Sequence, residues 1–461
     1  MNPQPTKMTF KQILNIAVVS AMLLLENMDT NIINIAVPTI AKSLHTHPLE
    51  LKLAITSYLI SLAIFVPISG WVADKFGTQK TLFCSILGFS VLSICCGLSQ
   101  SLTQLVIFRF LQGISGAFMM PVGRLLLLKV FGKKELVKVF ILMAMPGVLG
   151  PLLAPLVGGL IVAHLHWGYI FGVNVPIGIM GLFITHKYVD NFTEKVNIFN
   201  WAAFIWLGLL LAIASLTLDT IFYPLAMSSR IILLILIVVC LFVYIKIEKK
   251  SVNQVVNYKL FSIRTFRLCF MSNIALRIAF GGRAFVLGLY LQLALGLSPL
   301  HAGYMLSSAA LGLFSGRMLI KRILPHFGFR KLLIYANVAA VVTSVMYLFI
   351  LKANFWALII IVSNSFFTTM VFILLNTLFF ADVPERHYAS ATSISNTIQQ
   401  LFNSFGVTAL ATILFMANLV LPHFSYKVFM IAFMSIAVIG VILQLLLLKL
   451  RPHDGDNLLT K

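Results

Sequence analysis

Three charged residues interrupt long apolar segments of the sequence. Glu26 and Asp29 fall within residues 13–37, and Arg109 falls within residues 102–126. Residues three apart share one face of a helix. Two neighbouring carboxylates repel each other when both are ionised, whereas a nearby arginine stabilises the ionised form. This combination of residues could therefore bind and release a proton.

The composition indicates which elements must position these residues. Of the 461 residues, 60% are hydrophobic and 10% are charged, and the mean hydropathy is +1.00. Roughly 277 apolar residues would fill about fourteen membrane-spanning helices of about 20 residues each. This composition excludes a soluble enzyme, a disordered chain and a secreted disulfide-rich protein. Because the apolar runs are continuous, it also excludes a transmembrane β-barrel. We therefore predict an all-α membrane protein with fourteen transmembrane helices.

The chain is strongly basic, with 34 lysines and arginines and a net charge of +21. Most of these residues fall in the segments on the same side of the membrane as the N-terminus. The opposite side holds Lys42, Lys52, Arg230, Lys352 and Lys427. By the positive-inside rule this asymmetry predicts that both termini lie in the cytoplasm. We expect the membrane to be a bacterial-type inner membrane. The charge is thus explained by topology, and we expect no nucleic-acid partner.

The sequence contains no motif for a metal, a cofactor or a catalytic centre. All five cysteines fall within apolar segments and lack metal-ligand spacing, so we interpret them as packing residues. A phosphate-binding GxxxxGK[ST] loop is also absent, which disfavours ATP hydrolysis. We expect no enzymatic activity, no metal and no cofactor. A proton gradient across the membrane is expected to drive the protein's activity.

A glycine-bounded turn at residues 70–80 follows the second predicted helix. A weaker copy without the acidic residue occupies residues 316–331. If helices seven and eight are an insertion, the two copies lie at equivalent positions in two related six-helix halves, which is a transporter trait. The predicted organisation is an N-terminal six-helix bundle at 1–186, two inserted helices and a cytoplasmic linker at 187–255, a C-terminal six-helix bundle at 256–451 and a cytoplasmic tail at 452–461.

Five further motifs occur in order along the chain. They lie at residues 28–38, 109–117, 150–159, 174–178 and 296–303. With the 70–80 turn, they resemble the major facilitator superfamily, specifically its fourteen-helix drug:proton antiporter branch of the EmrB/QacA type. Within that branch, the sequence is most similar to the MdtD group. The resemblance covers nearly the whole chain and implies two six-helix bundles plus two inserted helices, with alternating access to a central site.

The resemblance also implies roles for individual residues. Asp29 and Arg109 are implied as the proton-coupling pair. Glu26 lies outside the shared pattern, and we interpret it as a group that assists Asp29 or precedes it in proton transfer. The alternative is a static ion pair that only joins two helices.

The 70–80 turn acts as a cytoplasmic latch in the family, holding one access state. An ordinary charged turn is the alternative. Thr78 and Gln79 replace the usual basic pair, which predicts a weakened latch. The implied latch residues are Gly70, Asp74, Lys75, Gly77 and Lys80.

Helix five resembles the antiporter motif that the family associates with exporters. Its glycines and prolines would allow two half-bundles to pack closely. Simple helix packing without a role in transport direction is the alternative. The motif residues are Gly150, Pro151, Pro155, Gly158 and Gly159.

Polar residues within the predicted helices are candidates for a substrate cavity, although they could equally form hydrogen bonds between helices. The intramembrane arginines outnumber the buried acids, which suits neutral or anionic amphiphiles. The candidates are Asn34, Gln112, Asn273, Arg277, Arg283, Asn376, Asn396 and Gln400.

Together these features predict a monomeric, proton-coupled exporter of small amphiphilic molecules or drugs, with the lipid bilayer as its environment. One alternative is a proton-coupled importer of an organic acid or a siderophore-like anion. Another is a membrane sensor or scaffold that transports nothing.

Overall fold

The computed structural model describes residues 8–196, 199–219, 227–250, 258–384, 387–422 and 424–458. Twelve helices in this part are long and apolar enough to cross a membrane. One of them, Pro299–Phe349, is interrupted at Gly328 and forms two helices, and the shorter apolar helix Leu149–His164 adds one more. The predicted all-α fold with fourteen helices is therefore confirmed.

We number the helices in chain order. They are α1 (Phe10–Ser43), α2 (Pro48–Phe76), α3 (Thr78–Gly97), α4 (Leu102–Gly132), α5 (133–164), α6 (Tyr169–Tyr188), α7 (Trp201–Leu218), α8 (Met227–Lys249), α9 (Arg264–Ala294), α10 (299–328), α11 (329–349), α12 (Phe355–Leu378), α13 (Ser390–Val420) and α14 (Tyr426–Leu447).

Glycines with positive φ produce the tight turns between successive helices. Gly77, between α2 and α3, has φ 98° and ψ 151°, and Gly328, between α10 and α11, has φ 69° and ψ 168°. Glycine adopts this backbone conformation without the steric cost that a Cβ would add. The two sequence copies at 70–80 and 316–331 thus share an unusual turn. The predicted boundary between residues 255 and 256 lies outside the described residues.

The two halves contact each other at the end of the bundle where α1 finishes, and α2 also packs along α13. We call the end where α1 begins the near end and the end where α1 finishes the far end. Gln292 of α9 donates a hydrogen bond of 2.9 Å to the Ile35 carbonyl of α1. At the far end, the His47 ring stacks on Phe424, with 5.5 Å between the ring centroids. These contacts close the far end.

The two inserted helices pack on the outside of this interface. Helix α7 contacts α8, α2 and α13. An apolar cluster joins Ile60 and Ile64 of α2 to Phe204 and Leu207 of α7 and to Leu401 of α13. The inserted pair therefore lies against one helix from each half.

Candidate proton and substrate sites

A buried ion pair joins α1 to α4. The Arg109 guanidinium donates a hydrogen bond to the Asp29 carboxylate, and the two side chains are 1% and 0% exposed. The structure thus brings together two of the three residues that the sequence proposed for proton coupling. An ionised group in the apolar part of a membrane protein is costly unless it is paired, so the pair stabilises both charges.

Amide and hydroxyl groups surround the Asp29 carboxylate. Gln112 and Asn174 each donate to Asp29 Oδ1, at 3.2 and 2.9 Å. The same two amides also donate to Ser93 Oγ, at 2.7 and 3.2 Å, and Gln112 Oε1 accepts from Arg109 at 2.7 Å. One polar network therefore connects α1, α3, α4 and α6.

Helix α2 completes this enclosure around Arg109. The guanidinium Nε donates to the Ala54 carbonyl at 3.2 Å, and the guanidinium carbon lies 4.2 Å from the centre of the Tyr58 ring. Gly113 permits this approach, because a Cβ there would lie 2.6 Å from the Tyr58 carbonyl oxygen. Sequence reasoning missed Ser93 and Tyr58, whose residue types carry no special signal. Asn174 belongs to the 174–178 motif, so the motif was the available signal for it.

Glu26 has different surroundings from Asp29, although the two share one side of α1. Its carboxylate is half-buried and makes no hydrogen bond or ion pair with any side chain that the structure describes. Arg124 of α4, an exposed residue, lies within electrostatic range of it. Glu26 is thus the more accessible of the two acids, and Asp29 is enclosed.

A cavity of about 360 Å³ lies between the two halves. Of the predicted cavity residues, Asn34, Arg277 and Arg283 line it. Thr30 and Asn31 contribute from α1, so both halves supply polar groups. The volume of this cavity suits a small ligand.

The other predicted cavity residues lie elsewhere in this conformation. Gln112 belongs to the Asp29 network and is fully buried. Asn273 is buried and donates to the Cys269 carbonyl at 3.1 Å. Asn376, Asn396 and Gln400 are half-buried and do not line the cavity. Successive residues of a helix point about 100° apart around its axis. A side chain one position away from a cavity-lining residue therefore points elsewhere.

The start of α3 is tied to the segment that follows α6. A Cβ at Gly77 would overlap the Asn191 side chain. The Thr78 hydroxyl donates to the Asp190 carbonyl at 3.0 Å, and the Gln79 amide donates to the His186 carbonyl at 2.9 Å. The two residues that depart from the family's basic pair therefore anchor the turn within the N-terminal half.

The remaining latch residues make few contacts. Asp74 forms no ion pair with any side chain that the structure describes. Lys75 lies over the Trp71 ring, 4.6 Å from its centre, and Lys80 is exposed. An added Cβ at Gly70 would meet no atom within 4 Å, so this glycine makes no close approach here. A latch role stays a prediction.

The α5 glycines pack against α1. A Cβ at Gly150 would lie 2.6 Å from the Asn27 Cβ, and a Cβ at Gly158 would lie 2.7 Å from Ile35 Cγ2. Pro151, on the same helix, lines the cavity. Small residues at these positions therefore let α1 and α5 approach closely.

The same helix also contacts the opposite half at the far end. A Cβ at Gly159 would lie 2.7 Å from the Pro299 carbonyl oxygen, and a Cβ at Gly303 would overlap the Pro155 carbonyl. Gly303 and Gly159 belong to two different sequence motifs, 296–303 and 150–159. The structure therefore places these two motifs against each other across the interface between the halves.

Comparisons with known proteins agree with this architecture. The family model described as "Major Facilitator Superfamily" matches residues 19–407. The MdtD protein of Salmonella typhi, whose name refers to multidrug resistance, is 31% identical over 449 residues, which cover 94% of this chain and 93% of that protein. The MdtD protein of Escherichia coli O45:K1 is 33% identical over 390 residues, which cover 83% of this chain and 82% of that protein.

Solved transporter structures share the fold. The peptide transporter POT in complex with sulfate has a TM-score of 0.71 at 15% identity, covering 96% of this chain and 95% of that chain. A mutant of the nucleoside transporter NupG has a TM-score of 0.69 at 11% identity, covering 95% of this chain and 99% of that chain. At these identities the likeness extends to the fold alone.

Proposed function

Because the chain belongs to the major facilitator superfamily, and is therefore a multi-pass membrane transporter, we propose that it is a proton-coupled exporter of small amphiphilic molecules. It works by alternating access in a bacterial inner membrane, with both termini in the cytoplasm. The name of the MdtD relatives supports export of drug-like molecules. The resemblance of the 150–159 motif to the family's antiporter motif supports the same direction.

The buried Asp29–Arg109 pair is the observation that supports proton coupling. The Asp29 carboxylate accepts hydrogen bonds from three side chains on α4 and α6. A proton on Asp29 removes the charge that holds Arg109, so it weakens the link between α1 and α4. Protonation then changes the packing of the N-terminal half, and Glu26 passes protons between Asp29 and the solvent at the near end.

Transport into everted membrane vesicles tests this function. Three probes of different charge are used in parallel: ethidium, neutral naphthalene-1-sulfonamide and anionic naphthalene-1-sulfonate. We expect at least one probe to accumulate when the lumen is acidified and to leave again when a protonophore is added. Asp29→Asn should abolish this accumulation. Asp456→Asn is the matched control, because Asp456 is an exposed acid close to the C-terminus.

Each alternative function has its own outcome. An importer would release preloaded probe from the vesicles instead of accumulating it. A sensor or scaffold would move no probe, and Asp29→Asn would leave its phenotype unchanged. Accumulation that persists without a pH gradient, or that Asp29→Asn leaves intact, would contradict proton-coupled export.

A further inference from the structure

Two arginines line the central cavity without a counter-ion among the residues that the structure describes. Resting on the proposed function, we infer that this cavity binds anionic amphiphiles, whose negative group lies between Arg277 and Arg283. Both residues belong to α9 and both line the cavity. Among the residues that line it, none is acidic. An unpaired cation in the apolar part of a membrane protein is costly, so a bound anion would supply the missing charge.

Arg277 is held in place but is not neutralised. Its side chain is 9% exposed. One terminal nitrogen donates to Gln399 Oε1 at 2.7 Å, and the guanidinium carbon lies 4.2 Å from the centre of the Phe372 ring. Its Nε has no hydrogen-bond partner among the described residues. The guanidinium therefore lies at the cavity wall with no acidic partner, and its buried Nε donor is unsatisfied.

Arg283 is likewise surrounded by neutral groups. It donates to the Asn364 side-chain oxygen, to Thr368 Oγ1 at 3.2 Å and to Ser365 Oγ at 3.4 Å. Asn364 is itself fixed, because its amide nitrogen lies within hydrogen-bonding distance of three oxygens, including Ser344 Oγ at 3.0 Å. An aspartate at position 364 would have neutralised this arginine. The amide orients Arg283 and leaves its charge available.

The acids of the surrounding helices lie at a distance or are already paired. Asp29 is held by Arg109 inside the N-terminal half. Asp382 accepts from Thr265, at the beginning of α9, so at 1.5 Å per residue this acid lies about 18 Å along the helix from Arg277. Glu26 is one turn from Thr30 on α1 and does not line the cavity.

The rest of the cavity defines the body of the ligand. Its volume of about 360 Å³ and apolar lining residues such as Phe280 and Leu306 fit an aromatic or branched aliphatic group. Asn31 and Asn34 from α1 supply neutral hydrogen-bonding groups opposite α9. The ligand class is therefore a compact amphiphile with one carboxylate or sulfonate group.

Equilibrium binding to the purified full-length chain in phosphatidylcholine nanodiscs tests the inference without any gradient. The probes are naphthalene-1-sulfonate, naphthalene-1-sulfonamide and 1-naphthylmethylamine, which share one ring system and differ in charge. We expect the sulfonate to bind at least tenfold more tightly than the other two. This preference is measured on the unaltered protein, so it does not depend on the folding of a variant.

Substitutions then assign the preference to the two arginines. Arg277→Gln should weaken sulfonate binding at least tenfold and leave sulfonamide binding unchanged within twofold. Asn364→Asp should have a similar effect, because it places a carboxylate beside Arg283. Arg267→Gln is the matched control, since Arg267 is an exposed arginine on the same helix.

Several outcomes would overturn the inference. They are equal affinity for the three probes, no sulfonate binding, or sulfonate binding that neither Arg277→Gln nor Asn364→Asp weakens. Loss of sulfonate binding when phosphatidylglycerol replaces part of the lipid would assign the arginines to a lipid phosphate instead. Gradient-driven accumulation of ethidium together with any of these results would preserve the proposed function and reject only the anion site.

Discussion

Replacing Asp29 by asparagine tests whether the pair with Arg109 acts as a single unit. The substitution keeps the size of the side chain and removes its charge. Arg109, which is 1% exposed, is then a buried cation without its counter-ion. Breaking a buried pair from one side costs about 3–5 kcal/mol. We expect Asp29→Asn and Arg109→Gln each to lower the free energy of unfolding by about this amount.

The double variant should lose much less free energy of unfolding than the sum of the losses in the two single variants. It contains no uncompensated charge. It still lacks the contact of Arg109 with the Tyr58 ring, worth about 1 kcal/mol, and the hydrogen bond to the Ala54 carbonyl, worth about 1 kcal/mol. We expect a loss of about 2 kcal/mol, against about 6–10 kcal/mol if the single effects simply added.

Reversible unfolding in mixed detergent micelles measures the four free energies of this cycle. The Lys11–Asp190 pair is a suitable control, because its side chains are 49% and 54% exposed and its N–O distance is 2.6 Å. Its coupling should be at most about 1 kcal/mol. A double variant of Asp29 and Arg109 that is as unstable as the sum of its single variants would refute the reasoning.

Three further predictions concern the turns, the far-end contact and the cargo. Gly159→Ala should separate α5 from α10, because its Cβ would lie 2.7 Å from the Pro299 carbonyl oxygen. Distances between spin labels on the far ends of α5 and α10 should therefore lengthen. Gly70→Ala, where an added Cβ meets no atom within 4 Å, should leave these distances unchanged. Gly77→Ala should lower the free energy of unfolding by about 1–3 kcal/mol, because alanine is strained at a φ of 98°. An additional Asn191→Ala substitution should restore only the part of this loss that comes from overlap between the new Cβ and the Asn191 side chain, as measured by chemical denaturation. A lumen-positive potential in everted vesicles should raise the accumulation ratio of naphthalene-1-sulfonate relative to the sulfonamide by up to about 50-fold per 100 mV, since one charge gains about 2.3 kcal/mol; equal responses to a potassium diffusion potential would contradict anion export.

Helix positions could be predicted well from the sequence. The apolar run at 356–380 corresponds to α12 at Phe355–Leu378, and the run at 268–295 corresponds to α9 at Arg264–Ala294. The thickness of the bilayer fixes the length of each apolar run, so the positions of these runs in the sequence locate the helices. The shared turn at Gly77 and Gly328 was also visible, because glycine and basic residues recur there.

The rotation of each helix about its axis could not be predicted in the same way. Helices surrounded by apolar neighbours and lipid lack the polar face that orients a soluble helix. Sequence reasoning therefore placed Gln112 in the cavity, although it lies in the Asp29 network. Arg277 and Arg283 were found because an arginine inside the membrane is conspicuous. The role of Asn364, the partner of Arg283, could be recognised only from the contacts in the structure.

The proposed proton site and the cavity use different residues but share one helix. Asp29 points from α1 into the N-terminal half, whereas Thr30, Asn31 and Asn34 line the cavity from the same helix. In the proposed mechanism, a proton on Asp29 would weaken the hold of α4 on α1, and a resulting shift of α1 would alter the wall that faces Arg277. Proton and anion therefore need not compete for one group. If α1 carries the coupling, Asp29→Asn should change anion affinity in nanodiscs even though Asp29 never touches the anion, and an unchanged affinity would require a different route between the two sites.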